Sequence, residues 1–308
     1  MRQLLQRRDL LKSATTAAML AGLGRQHTQA ATRTRISLAK GSSTVVTGDG
    51  TNLFYRDWGS GKPVVFIAGW GMPSDMWNYQ MTTLSERGFR CIAYDRRGHG
   101  RSSDPGRGFD YDTLAHDLAA VLDALDLRSV VLVSHSMGCG EVIRYLTHHG
   151  ASRIARIALV APATPYFLKS PDNPYGVDAS VFDNIRKAML LDFPKWMEEN
   201  GRPFVVKETS EAMIEWLKGL MLRTSMKALI ECHRTHTLAD FRAELTKLTV
   251  PALVIHRDKD VGCPIDLTGR KTAAMIPGAR LKVYEGSPHG LFVTHIDRLN
   301  ADLLEFAG

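Results

Sequence analysis

Ser136 stands in Val131-Leu132-Val133-Ser134-His135-Ser136-Met137-Gly138, a buried-strand pattern that meets a sharp turn and then at once a helical pattern. Small residues two before and two after the serine are what the nucleophile-elbow pattern G-x-S-x-G demands, because the strained turn brings strand and helix backbones together. Ser134 takes the place of the first glycine and is still small. A hydroxyl so placed projects from the turn at the positive end of the following helix. It becomes a useful nucleophile only when a base takes its proton and a carboxylate holds the tautomer of that base.

Elbow sites of this kind carry their partners in the order Ser, Asp, His. Downstream, Arg257-Asp258-Lys259-Asp260 follows a strand pattern and offers two carboxylates. Glu285-Gly286-Ser287-Pro288-His289-Gly290 follows the next strand and puts His289 on a loop between Pro and Gly. His295 opens the terminal helix and is the poorer base. A tetrahedral oxyanion needs two preformed donors. Met137 N–H, one residue after the nucleophile, is the first candidate. Trp70 N–H, in Gly69-Trp70-Gly71 after an early strand, is the second.

Elements that could hold these groups alternate along the chain. Strand patterns at 52–58, 63–68, 89–94, 129–133, 154–161, 252–256 and 280–284 are interleaved with helical ones at 111–125, 137–149 and 296–306. This predicts an α/β fold with a mostly parallel central sheet and helices on both faces. From Thr164 to Thr249 no strand is evident, only helical patterns such as 181–191 and 211–222. The expected organisation is therefore core (31–163), inserted helical cap (164–249) and core again (250–308). The cap's aromatic residues would form an apolar ceiling over the strand carboxyl ends, where such sheets bind ligands.

Taken together, Asp49-Gly50-Thr51, the run Asp95-Arg96-Arg97-Gly98-His99-Gly100-Arg101-Ser102, the elbow, and Ser287-Pro288-His289-Gly290 resemble the α/β-hydrolases, in particular their cofactor-free haloperoxidase/arylesterase branch. The resemblance runs from about Thr44 to Phe306. It implies a serine esterase without haem or metal, able in its relatives to form peracids from carboxylic acids. It also implies Asp260, the second Asp of its pair, as the acid, with Asp258 orienting the loop, and a structural role for the Asp95–Ser102 turn and its His99. The family usually carries His-Gly-Trp-Pro where this chain has Ala68-Gly69-Trp70-Gly71. Losing the His removes a support beneath the loop. Losing the Pro frees the Trp70 carbonyl, which favours ester hydrolysis over perhydrolysis. The expected substrate is a small neutral or apolar ester; a lactone, amide or C–C bond suits the same triad, and a non-enzymatic sensor of this fold is a more distant reading.

Composition narrows the partners. With 44% hydrophobic and 23% charged residues, the 308-residue chain is an ordinary globular one. Its net charge of +7 resembles a nucleic-acid binder's until its position is considered. More than half of it comes from Arg2, Arg7, Arg8, Lys12 and Arg25 against Asp9, and too little remains for a basic binding face. No phosphate-cradling glycine loop is present, so no nucleotide cofactor is expected. His233 and His236, with two residues between them and no Cys/His spacing typical of zinc nearby, are too sparse for a metal site. Four cysteines in a chain this long make no disulfide framework, and buried free thiols are expected.

Arg7-Arg8-Asp9-Leu10-Leu11-Lys12 precedes a small-residue apolar stretch and then Thr28-Gln29-Ala30. This resembles a twin-arginine export signal, cut near Ala31 and read by the twin-arginine translocase. The apolar run falls short of the roughly 20 residues a membrane span needs. The mature protein is thus expected in the periplasm or outside the cell. Replacing Arg7 and Arg8 with Lys keeps the charge and removes the guanidinium pair. Fractionation should then find the uncut protein in the cytoplasm, folded, while the wild type appears outside it and shortened. Unchanged export of the Lys-Lys form would sink this reading.

Overall fold

The computed structural model describes residues 43–308. The twin-arginine segment and the cleavage point at Ala31 lie outside the described residues. Eight strands, β1 (Thr44–Val46), β2 (Asn52–Trp58), β3 (Lys62–Ile67), β4 (Phe89–Tyr94), β5 (Val130–His135), β6 (Ile154–Val160), β7 (Ala252–Arg257) and β8 (Arg280–Tyr284), form one sheet. Their order is β1-β2-β4-β3-β5-β6-β7-β8. β2 lies antiparallel to β1 and β4, and every pair from β4 onward is parallel. The strands expected from the sequence form within two residues of their expected ends. β1 is an addition, too short at three residues to show a period.

Side-chain alternation explains the layering. Val65 and Ile67 of β3, Val130 and Leu132 of β5, and Ile157 and Leu159 of β6 enter one core with Leu114, Leu118 and Val121 of α2 (α1 being Asn78–Glu86 and α2 Tyr111–Ala124) and with Val142 and Ile143 of α3 (Gly138–His149). Their neighbours Val64, Phe66, Val131, Val133, Ala158 and Val160 face the opposite way, onto Met81 and Leu84 of α1 and the C-terminal helix. Strands buried on both faces read as near-continuous apolar runs, which is why these showed so clearly in the sequence. Each such fully buried side chain stabilises the fold by about 1.5–3 kcal/mol relative to exposure.

Between β6 and β7 the chain inserts α4 (Ala179–Leu191), α5 (Phe193–Gly201), α6 (Glu211–Met221), α7 (Met226–Leu238) and the short α8 (Arg242–Leu245). Capping sets where several begin: Asp192, Ser210 and Ser225 accept backbone N–H bonds at the starts of α5, α6 and α7. α9 (Gly269–Met275), α10 (Leu291–Thr294) and α11 (Ile296–Ala307) complete the fold. Among the described residues no helix is long and apolar enough to cross a membrane. All four cysteines are buried and free.

The turn after β4 is a node of buried charge. Asp95 accepts from the backbone N–H groups of Ser74 (2.7 Å) and Arg101 (2.8 Å). Arg97 is buried and forks onto both oxygens of Asp117 on α2 at 2.7 Å, with Asp49 as a further partner at 2.9 Å. His99 is buried with Nδ1 on the Arg97 carbonyl (2.9 Å), and burial pushes its pKa down to about 3. These contacts bind elements together and leave His99 with no exposed proton to trade. Removing one partner of a buried pair typically costs about 3–5 kcal/mol. Asp117→Ala should therefore lower stability by that order, read as a fall in the denaturant midpoint. A loss below about 1 kcal/mol, the worth of a surface pair, would show that Arg97 does not depend on it.

Candidate active site

The parallel register sets Ile67 beside Ser134, so the loop leaving β3 and the turn leaving β5 share one end of the sheet. At that turn Ser136 has φ +53°, a left-handed conformation that side chains other than glycine seldom adopt. The turn is tied down on both sides, by Ser136 N–H to the Val160 carbonyl (2.9 Å) and by Cys139 N–H to the Ser136 carbonyl (3.1 Å). The two small positions have different limits. A Cβ on Gly138 would lie 2.7 Å from the Ala68 carbonyl oxygen, so glycine is required there. Ser134 is accommodated, fully buried, with its hydroxyl near Cys139 Sγ at 3.4 Å.

The three sequence-selected side chains meet. His289 Nε2 is 2.9 Å from Ser136 Oγ, and its Nδ1 is 3.0 Å from Asp260 Oδ2. Asp260 Oδ1 accepts the N–H groups of Gly262 (3.0 Å) and Cys263 (2.8 Å). Burial pushes this carboxyl's pKa up, but the His289 charge, the His256 and His289 hydrogen bonds and the Arg257 charge outweigh it and hold Asp260 far below the carboxylate range. Asp258 points elsewhere: its Oδ1 accepts from Gly286 N–H at 2.7 Å and ties the loop after β7 to the loop that carries His289.

Trp70 and Met137 present N–H groups that find no acceptor among the described residues, so both remain available to an oxyanion. The support beneath this loop differs from the expectation. Arg96, fully buried in its ion pair with Glu141 of α3, donates to the Ala68 carbonyl (2.7 Å) and the Gly69 carbonyl (3.2 Å). The polar anchor expected to be lost with the His is thus supplied from below by Arg96. The proline comparison also needs correction. Gly71 has φ +69°, a Cβ there would meet Met221 Cε at 2.8 Å, and its carbonyl accepts from Thr224 Oγ1 at 2.9 Å. Proline, fixed near −65°, cannot enter this loop as it stands.

The sequence and the fold that carry this site are similar to those of known proteins. Residues 62–200 match the family model for the alpha/beta hydrolase fold. A non-heme chloroperoxidase of Kitasatospora aureofaciens is 42% identical over 267 residues, 84% of this chain and 97% of the relative. The chain belongs to the α/β-hydrolase family. A bifunctional esterase/perhydrolase of Acinetobacter calcoaceticus is 34% identical, covering 85% of this chain and 98% of the relative. The solved structure of an esterase from Exiguobacterium antarcticum superposes with a TM-score of 0.84 at 33% identity, over 86% of this chain and 99% of that one. This α/β-hydrolase is a hydrolytic enzyme of the haloperoxidase/esterase-like kind.

Three residues beside the relay escaped the sequence reading. His135 donates from Nε2 to the His289 carbonyl (3.1 Å), which anchors the histidine loop to the elbow. Cys263 lines the cavity, but burial pushes its pKa well above 9.0, so it stays a thiol. Its Sγ, an Asp260 oxygen and a His289 nitrogen lie within 4.8 Å of one another. Asp260 and His289 are already hydrogen-bonded to each other at 3.0 Å. Arg257 is the third. It is fully buried, bonds to Asp260 Oδ2 and lies against His289 Nδ1. No simple motif flagged it, because it sits three residues before the acid in a run read only for its carboxylates.

A hydrolase cavity of about 290 Å³ opens onto Ser136, walled by Trp70, Phe167, Phe182, Trp196, Phe204 and Met221 among others. That is the small end of the range for ligand pockets and predominantly apolar.

Burial, with the Arg257 charge behind it, lowers the His289 pKa below its ordinary 6.5 despite the pull of Asp260. A base must be neutral to work, so activity is retained further into acid than an unperturbed histidine allows. Arg257→Met removes a cation beside the ring and should raise the His289 pKa, moving the acid limb of the pH–rate profile upward. A limb that stays put or moves down would show that Arg257 does not act on the base. In the same assay Asp260→Asn should cost about 10⁴ in kcat, and Asp258→Asn little; the reverse result would reassign the acid.

Proposed function

We propose that the chain cleaves carboxylic esters through an acyl-enzyme, with Ser136 as nucleophile, His289 as base and then acid, and Asp260 as its orienting carboxylate. The observation that carries this reading is the unbroken relay from Asp260 Oδ2 through both His289 nitrogens to Ser136 Oγ, at 3.0 and 2.9 Å. Ser136 Oγ attacks the ester carbonyl while His289 Nε2 takes its proton. The negative charge gathers on the former carbonyl oxygen, between the N–H groups of Trp70 and Met137. His289 returns the proton to the departing alkoxide. Water, deprotonated by the same nitrogen, then releases the acid. Asp260 stays ionised throughout and stabilises the imidazolium that each step creates.

Hydrolysis, rather than peracid formation, is the activity proposed as dominant. Water and hydrogen peroxide compete for the same acyl-enzyme, and nothing beyond water is needed for the first. The mostly apolar cavity favours a small uncharged ester over a charged substrate, since a buried charge without a partner is costly.

Ser136→Ala should abolish turnover of p-nitrophenyl acetate, by about 10⁶ in kcat, and leave the melting temperature close to wild type. Brief reaction of the wild type with the same ester at low pH should add one acetyl group to the peptide containing Ser136, seen by mass spectrometry. A Ser136→Ala protein that keeps a tenth of the activity, or acetylation elsewhere, would move the nucleophile.

A further inference from the structure

Helix α7 turns two histidines into the cavity that holds Ser136. His233 and His236 both line it, with ring centroids 5.1 Å apart and planes at 77°. Aromatic rings pack beside them: the Trp70 ring lies edge-on against His233 at 5.5 Å and 6.3 Å from His236. Trp70 is the residue whose backbone faces the proposed oxyanion, and its indole N–H is fixed to the Leu229 carbonyl of the same helix at 2.8 Å. The two rings therefore adjoin the position of a bound ester.

Each histidine has one nitrogen already assigned, and by opposite kinds of partner. His236 Nδ1 lies 2.9 Å from the Cys232 carbonyl, which can only accept. Its proton is on Nδ1, and Nε2 is a bare acceptor. His233 Nδ1 lies 3.1 Å from Arg186 Nη1, which can only donate. Here Nδ1 is bare, and the proton is on Nε2. Arg186 is itself buried and held by Asp183 (2.6 Å) and Thr237 (3.2 Å), so it cannot turn away. Burial, with His236 and Arg186 beside it, drives the His233 pKa down to about 2; burial brings His236 to about 4. Both rings are neutral wherever the relay works.

We propose that His233 and His236 form a specificity subsite for a neutral hydroxyl group on the ester. A hydroxyl oxygen accepts from His233 Nε2–H while its hydrogen goes to His236 Nε2. A carboxylate would meet the His236 lone pair, an ammonium the His233 N–H, and an alkyl chain would leave both nitrogens without a partner. A site built to bond a hydroxyl discriminates strongly against the analogue that lacks it. This proposal rests on the esterase reading above for the identity of the ligand, though its chemistry is that of binding.

The test compares butanoate and pentanoate ethyl esters carrying a hydroxyl at successive carbons of the acyl chain with their unsubstituted and methoxy counterparts. A second series places the hydroxyl along the alcohol chain of acetate esters, so the two arms tell which side of the ester reaches α7. In at least one position kcat/KM for the hydroxy ester should exceed that of the alkyl ester by at least about tenfold. The methoxy ester, unable to donate to His236, should lose that advantage. His236→Leu and His233→Leu should each bring the hydroxy-to-alkyl ratio close to one. Alkyl esters preferred over every hydroxylated partner, or ratios unchanged in both variants, would overturn the proposal.

The same pairs titrated calorimetrically into Ser136→Ala measure recognition without turnover and with α7 intact, so the answer survives if a histidine variant does not fold. Preferential binding of hydroxy esters by a protein whose wild type hydrolyses none of them would sink the esterase reading and keep the subsite. Ester hydrolysis without any such preference in binding would do the opposite.

Discussion

Between β4 and α3, where water does not reach, the Arg96 guanidinium divides its donors among Glu141 and the carbonyls of Ala68 and Gly69. A charge buried this deeply must keep every partner it has, because an unpaired one costs several kcal/mol. That requirement fixes the loop after β3 against the helix after the elbow. The close approach of the Ala68 carbonyl to Gly138 is the other half of the same constraint. Arg96 holds the loop down, and the missing Cβ lets it come down. With both met, the loop carrying Trp70 sits against the turn carrying Met137, and the N–H groups of both are left without an acceptor among the described residues.

On the far side of Ser136 a second charged group plays a different part. Asp260 is shared by the part-buried His289 and the fully buried His256 and Arg257. A carboxylate with three claimants is held ionised firmly, and its hold on any one of them is diluted. Arg257 therefore both steadies the acid and opposes the charging of the base. The first effect keeps the relay assembled; the second sets how easily His289 gives its proton up.

Much of this was legible in the sequence because the carriers of chemistry sit at boundaries that the pattern marks. Ser136 falls where a continuous apolar run gives way to a 3.6-residue period, and His289 lies between Pro and Gly. The sheet was legible because its strands are apolar on both faces. What stayed hidden has a common physical cause. Arg96, Arg257 and His135 act only through neighbours distant in sequence, so no local period reveals them. α7 gave a faint signal because its buried residues mix Ala228, Leu229 and Ile230 with Cys232, His233 and Thr237, so its second half does not continue an apolar stripe. Gly71 shows the converse error. Its difference from the family's proline was legible, but the left-handed backbone that goes with it was not, and that backbone decides what the difference means.

The order of the strands has a consequence for the chain as it leaves the ribosome. β3 to β6, with the loop donors and the serine, come from residues 62–160, whereas the acid and the base arrive on the loops after β7 and β8. Under the proposed mechanism, until those last two strands add to the edge beyond β6 the serine has no base and is as unreactive as any alcohol. A nascent, stalled or clipped chain that lacks its final third carries the elbow without the power to acylate it. Chemical competence is thus a report of completed synthesis, delivered by the residues made last.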